Sequence, residues 1–175
     1  MNTFYKIIGP YLGFSILFLN SCSKWIEVDS PQNQLTPDKV FTDSATAIST
    51  LGNVYYILAN GINTNYNKHA SLYTDEYAYT VSNNITEFFN SRISENNGTN
   101  SNIWGQFYEA IYACNDILEQ VENNSKLTGN AKRILQNEAK FLRAFCYFYL
   151  QSLYGEIPLV LTTNVNENMK EAQVP

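Results

Sequence analysis

The sequence predicts an all-α domain built around an antiparallel helix hairpin, on the strength of three observations. Residues 102–123 and residues 128–154 each carry apolar side chains at a 3.6-residue spacing. The linker Asn123-Asn124-Ser125-Lys126-Leu127 is short, which brings the second helix back along the first. A third stripe of the same period lies near residues 43–60.

Each element follows from local signals. In the first helix Ala47, Ile48, Leu51, Val54, Tyr55 and Leu58 recur at helical spacing, Asp43 or Ser44 can cap the free amides, and Gly61 is a stop signal. Thr36-Pro37-Asp38 is placed to seed a short helical turn leading to Phe41. Residues 61–101 alternate Tyr and Phe with Asn, Ser and Thr and sustain neither a helical nor a strand period, so loops and one short helix are expected. From Asn102 the stripe runs through Trp104, Phe107, Tyr108, Ile111, Cys114, Ile117, Leu118 and Val121. Thr128 is positioned to cap the next helix, which turns Ile134, Leu135, Leu142, Phe145, Tyr149 and Leu153 inward and stops at Gly155. Ile157 to Leu161 then reads as an extended exit, and the rest, through Pro175, is polar without an apolar period.

The N-terminus reads as an address. Lys6, an apolar stretch from Ile7 to Leu19 and then Asn20-Ser21-Cys22 have the layout of a secretory signal with its cleavage region. The stretch is about 13 residues, short of the roughly 20 that span a bilayer, and it contains Gly9, Pro10 and Gly13. Leu19-Asn20-Ser21-Cys22 resembles a bacterial lipobox, which implies lipidation of Cys22 and a mature chain that begins there; the alternative is an ordinary secreted protein with a chance cysteine. Acyl chains contribute about 0.8 kcal/mol per buried CH₂, so several of them anchor a protein durably. The expected division is a signal peptide at 1–21, an extended tether at 22–37 and a helical domain at 38–175.

Composition narrows the function. The formal charge of −5 becomes −6 without Lys6, and no basic stripe is left to neutralise phosphates, so nucleic acid is not an expected partner. Thirteen Tyr, ten Phe and two Trp exceed what packing alone requires and suit a wet binding surface. The three cysteines, Cys22, Cys114 and Cys146, form no metal-ligand spacing, and the latter two fall on apolar helix sides as small buried hydrophobes. No metal or cofactor is expected. Asp75 and Glu76 are sequence neighbours and need not face one glycosidic bond, so helix capping or polar ligand contact is the better reading. His69, the only histidine, is assigned to the surface by default, and Arg143 to a carboxylate on a neighbouring helix. Trp104 is weighed as a sugar-stacking platform against core packing, with packing favoured. Tyr77, Tyr79, Phe88 and Phe89, in the irregular region, are better ligand candidates.

Phe141-Leu142-Arg143-Ala144-Phe145-Cys146-Tyr147-Phe148-Tyr149-Leu150, followed by Leu153-Tyr154-Gly155-Glu156-Ile157-Pro158-Leu159-Val160, resembles the most recognisable segment of the SusD/RagB family. Trp104 with Tyr108, Ile111 and Asn115 resembles that family's preceding helix, and Tyr73-Thr74-Asp75-Glu76 its acidic segment. The resemblance implies tetratricopeptide-like helix pairs and an outer-membrane lipoprotein that holds glycans or other nutrients for a TonB-dependent, SusC-like transporter, without catalysis. The resemblance also implies that most of the ligand side is built by later, variable sequence; within this chain Asp75, Glu76, Tyr77 and Tyr79, in the irregular region, are the expected ligand contacts. Family members are roughly three times this length, and the helices leave apolar faces looking for partners, so this reading treats the chain as the N-terminal part of a larger helical domain whose reading frame continues past Pro175. Two other classes stay open: a helical scaffold that binds only protein, and a surface glycan hydrolase.

Overall fold

In the computed structural model, which describes residues 37–78, 80, 83–127 and 129–174, helix follows helix from Pro37 to Tyr154. Cys22, the signal and the tether lie outside the described residues, as do Tyr79 and Thr128. Helix α1 (Pro37–Val40) delivers Phe41 into the core. Helix α2 (Ser44–Leu58) starts where Asp43 caps it, its carboxylate accepting from the Thr46 N–H at 3.0 Å. Ala47, Leu51, Val54 and Leu58 form its buried stripe. Tyr55, which shares the helical spacing, is 47% exposed, and its hydroxyl donates to the Glu138 carboxylate at 2.6 Å.

Gly61 does not stop the helix. The chain widens into a π-helical stretch (Ala59–Tyr66) and continues as α3 (Asn67–Tyr73). The glycine serves close approach instead: a Cβ there would lie 3.2 Å from the Cβ of Gln106. Helix α3 ends in a Schellman arrangement with Asp75 in the left-handed region (φ 62°), the Glu76 N–H donating to the Ser71 carbonyl at 2.9 Å. Helix α4 (Thr86–Phe89) ends the same way, with Ser91 at φ 51° and the Arg92 N–H on the Glu87 carbonyl at 2.9 Å. Residues 61–101 are thus more helical than their mixed pattern suggests, because Tyr66, Leu72 and Phe88 pack onto the long helices.

Helices α5 (Gly98–Glu122) and α6 (Gly129–Tyr154) form the antiparallel pair, the fold's largest contact surface. Helix α5 begins four residues before the expected start, because Asn97 caps it. The Asn97 side-chain oxygen accepts from the Thr99 and Asn100 N–H groups, each at 3.0 Å. Its amide nitrogen donates to the Glu87 carboxylate at 2.9 Å and to the Asn84 carbonyl at 2.8 Å. Glu87 also accepts from the Ser94 N–H and hydroxyl, and these donors hold its carboxyl below the usual range, the Ser94 N–H first. The core runs along the seam through Phe107, Ile111, Cys114, Ile117 and Val121 of α5 and Leu135, Ala139, Leu142, Cys146 and Leu150 of α6. Each fully buried leucine or isoleucine there contributes about 1.5–3 kcal/mol. Burial pushes the Cys114 thiol up to about 11 and that of Cys146 to about 12, so both remain protonated small hydrophobes.

Gly155 turns the chain out of α6 at φ 76°, and the exit lies back across the pair as a strap. Asn115, fully buried, donates to the Val160 carbonyl at 3.1 Å and the Thr162 carbonyl at 3.3 Å. Arg143 donates to the Asn115 side-chain oxygen at 2.7 Å, so its partner is an amide and not the expected carboxylate. The Tyr147 hydroxyl donates to the Val160 carbonyl and accepts from the Val160 N–H, both at 2.7 Å. Tyr108 donates to the Pro158 carbonyl at 2.7 Å, and Glu119 accepts from Thr163 at 2.7 and 2.6 Å. The polar tail then forms a short helix α7 (Val165–Asn168) and a strand β2 (Gln173–Val174), which pairs antiparallel with β1 (Ile157–Pro158) in the register Ile157 to Val174. Among the described residues the fold is all-α apart from this small ladder. No helix among the described residues is long and apolar enough to cross a membrane.

Candidate functional site

At the end of the helix pair opposite the α5–α6 turn, the π-helical stretch, α3, α4, the start of α5 and the end of α6 surround a cleft of about 370 Å³. Tyr66, His69, Ala70 and Tyr73 recur at helical spacing and face it from one side, with Thr74 at their end. Phe88 and Ile93 close a second side, Asn100 and Ile103 a third, and Ser152, Leu153 and Tyr154 the last. No Asp, Glu, Lys or Arg is among these residues. Aromatic walls with a few polar groups are the usual make-up of a small-molecule site.

Ring contacts and hydrogen bonds fix the walls. Tyr66 meets Tyr149 edge to face at 5.3 Å and Phe107 at 6.4 Å. The Tyr154 hydroxyl donates to the Asn100 side-chain oxygen at 3.1 Å, and burial raises its pKa to about 12, so it stays a donor. Trp104 is half-buried, 4.8 Å from the ring of Tyr154 and 5.0 Å from that of Tyr108, in the packing role the sequence favoured. Leu153, expected inside, is 42% exposed and sits at the cleft.

His69 is not a surface residue. It is 3% exposed, its Nδ1 faces the Asn65 carbonyl, and its ring lies 5.0 Å from that of Phe88. Burial lowers its pKa against the opposing pull of the Asn65 carbonyl. The default for a lone histidine hid it, although its place three residues after Tyr66 and three before Leu72 was a readable stripe.

Of the expected ligand contacts, Asp75, Glu76 and Tyr77 follow directly on the cleft residues Tyr73 and Thr74 and are exposed. Asp75 also has the capping role, since its backbone ends α3. Phe88 is buried in the cleft wall and Phe89 is partly buried against the core.

The comparisons with known proteins agree with this architecture. The chain is 25% identical to "SusD-like protein P25" of Formosa agariphila, over 94% of its own length and 32% of that relative's, so it spans about a third of the relative it matches. No solved structure gives a significant match. The profile of a SusD-like family described as "Starch-binding associating with outer membrane" matches residues 24–174, from just beyond Cys22 to the last paired strand. Nearly the whole chain, including the helix pair, the strap and the cleft, is thereby covered, and the protein belongs to the SusD-like family.

Proposed function

We propose that this protein holds a glycan at the outer membrane and presents it to a TonB-dependent transporter, without chemistry of its own. The observation that carries the reading is the uncharged, aromatic-walled cleft of about 370 Å³ in a chain of a starch-binding family. Ring faces suit the C–H faces of sugars, and the hydroxyl and amide groups of Thr74, Asn100 and Ser152 suit their edges. The arrangement favours binding over hydrolysis, since no carboxylate among the described residues lines the cleft and Asp75 and Glu76 are neighbours on one turn. Asp75, Glu76 and Tyr77 would form its rim, and Tyr79 stays a ligand candidate from the sequence. The anchor would be Cys22, two residues before the family match begins.

Affinity electrophoresis in gels cast with soluble glycans tests the binding. One polysaccharide is expected to retard the protein, and Tyr73→Ala to abolish most of the retardation. Incorporation of labelled palmitate, lost in Cys22→Ala, tests the anchor.

A second reading, a scaffold that binds protein, draws on Phe141 and Phe148, which are 64% and 65% exposed one heptad apart on α6. Both readings place a transporter beside the protein. They separate on retardation: if no glycan retards the protein while Phe141→Ser/Phe148→Ser abolishes transporter co-purification, only the scaffold reading stands.

A further inference from the structure

One polar atom in the cleft region lacks a partner. His69 lines the cleft beside Phe88, and its Nε2 exposes less than 1 Å² and has no hydrogen bond among the described residues. The other ring nitrogen decides what this atom is. Nδ1 faces the main-chain carbonyl of Asn65, and a carbonyl only accepts, so Nδ1 carries the proton. In the neutral ring Nε2 is then a lone pair, an acceptor waiting for a donor. Native interiors keep few such atoms, because a buried acceptor without a donor forfeits the hydrogen bond that water would have given it.

The rest of the lining decides which donor fits. A sulfated or carboxylated sugar would bring negative charge into a cleft that has neither Lys nor Arg, against a lone pair. An ammonium group would find no carboxylate. A neutral hydroxyl has neither problem: it gives its proton to Nε2 while the carbon skeleton rests on the rings.

Building on the glycan reading above, we propose that the cleft takes an uncharged sugar, one hydroxyl of which donates a hydrogen bond to Nε2 of His69. The atom lies behind the wall, so the sugar seats by displacing a ring edge. The ring of Phe88, on the four-residue helix α4, lies 5.0 Å from the His69 ring, centroid to centroid, and is the edge proposed to yield.

His69 is the only histidine, so protein labelled with ¹⁵N-histidine gives one imidazole spectrum and needs no assignment. The free protein should show the Nδ1–H tautomer. The probes are the neutral oligomers maltoheptaose, cellohexaose and laminarihexaose, and an alginate oligomer as the acidic control. Binding of a neutral probe should move the Nε2 resonance and leave Nδ1 nearly in place. His69→Phe, with an unchanged circular dichroism spectrum, should weaken that probe about tenfold, the worth of one such bond. The wild-type spectra stand by themselves if that variant misfolds. Binding of a neutral probe with Nε2 unmoved would overturn the role of His69 and leave the glycan reading intact. Tighter binding of the alginate oligomer would overturn the ligand class. Binding of none of the four would overturn both this inference and the reading beneath it.

Discussion

Two buried polar side chains, Asn115 under the strap and His69 at the cleft, are treated in opposite ways. Where the strap crosses, Asn115 is fully buried and satisfied on both sides, with two carbonyls on its amide nitrogen and the Arg143 guanidinium on its oxygen. At the cleft, His69 is equally enclosed and half satisfied. A closed network specifies one packing, whereas an open one leaves an acceptor for something the described residues do not supply. Most of the recognisable segment of the sequence serves the scaffold, since Arg143, Tyr147 and the Ile157–Pro158 strand hold the strap while Leu153 and Tyr154 line the cleft.

The strongest way to break this comparison is to open the closed network. Asn115→Leu removes the acceptor of Arg143 and the donor to two strap carbonyls, and should lower the unfolding free energy by about 3 kcal/mol. Urea denaturation reads this as a lower midpoint. A loss below about 1 kcal/mol would mean that water replaces the network and that the strap is a surface feature. Next comes Tyr147→Phe, which deletes the hydroxyl that bridges the Val160 N–H and carbonyl. A loss of about 1–2 kcal/mol is expected, with glycan retardation unchanged, because the change is confined to the scaffold.

The open network should respond in the reverse sense. His69→Phe trades one bond to Asn65 for the removal of an unpaired acceptor, and the net change should stay within about 1 kcal/mol. The wild-type histidine carries a pH signature that the variant lacks. Burial keeps it neutral in the folded chain, whereas the unfolded chain takes up a proton near pH 6.5. Stability is therefore full above about pH 6.5 and falls as the pH drops from there toward the lowered folded value. Glu87 loses its contribution only at lower pH, because its folded pKa lies below the ordinary carboxylate value. Denaturation midpoints between pH 7 and 5 should slope in the wild type and flatten in His69→Phe.

What the sequence made legible follows the same division. The α2, α5 and α6 stripes, the Asp43 cap and the Gly155 stop are local signals of period or turn chemistry, and they carried the all-α fold. The cleft residues were missed as a group because they come from five separate elements, and only Phe88 among them was singled out as a ligand candidate. Gly61 misled because a glycine that admits a neighbour looks the same in sequence as one that ends a helix. The early start of α5 could not be read from Gly98-Thr99-Asn100-Ser101, a weak helical run held by the Asn97 cap and its tie to Glu87, ten residues back.

The smallest expected effect tests whether the cleft region has been tuned for stability at all. Both α3 and α4 end on non-glycine residues in the left-handed region, Asp75 at φ 62° and Ser91 at φ 51°. A side chain there opposes the backbone, and aspartate tolerates the conformation better than serine does. Ser91→Gly should therefore stabilise the protein by about 0.5 kcal/mol, and Asp75→Gly by less, once the greater freedom of glycine in the unfolded chain is deducted. Thermal unfolding of the two variants side by side checks the order. If Asp75→Gly leaves stability unchanged but weakens glycan retardation, the carboxylate contributes through the ligand and its capping geometry is incidental. If instead Asp75→Gly stabilises without touching retardation, the acidic turn belongs to the scaffold, and the binding residues are confined to the cleft behind it.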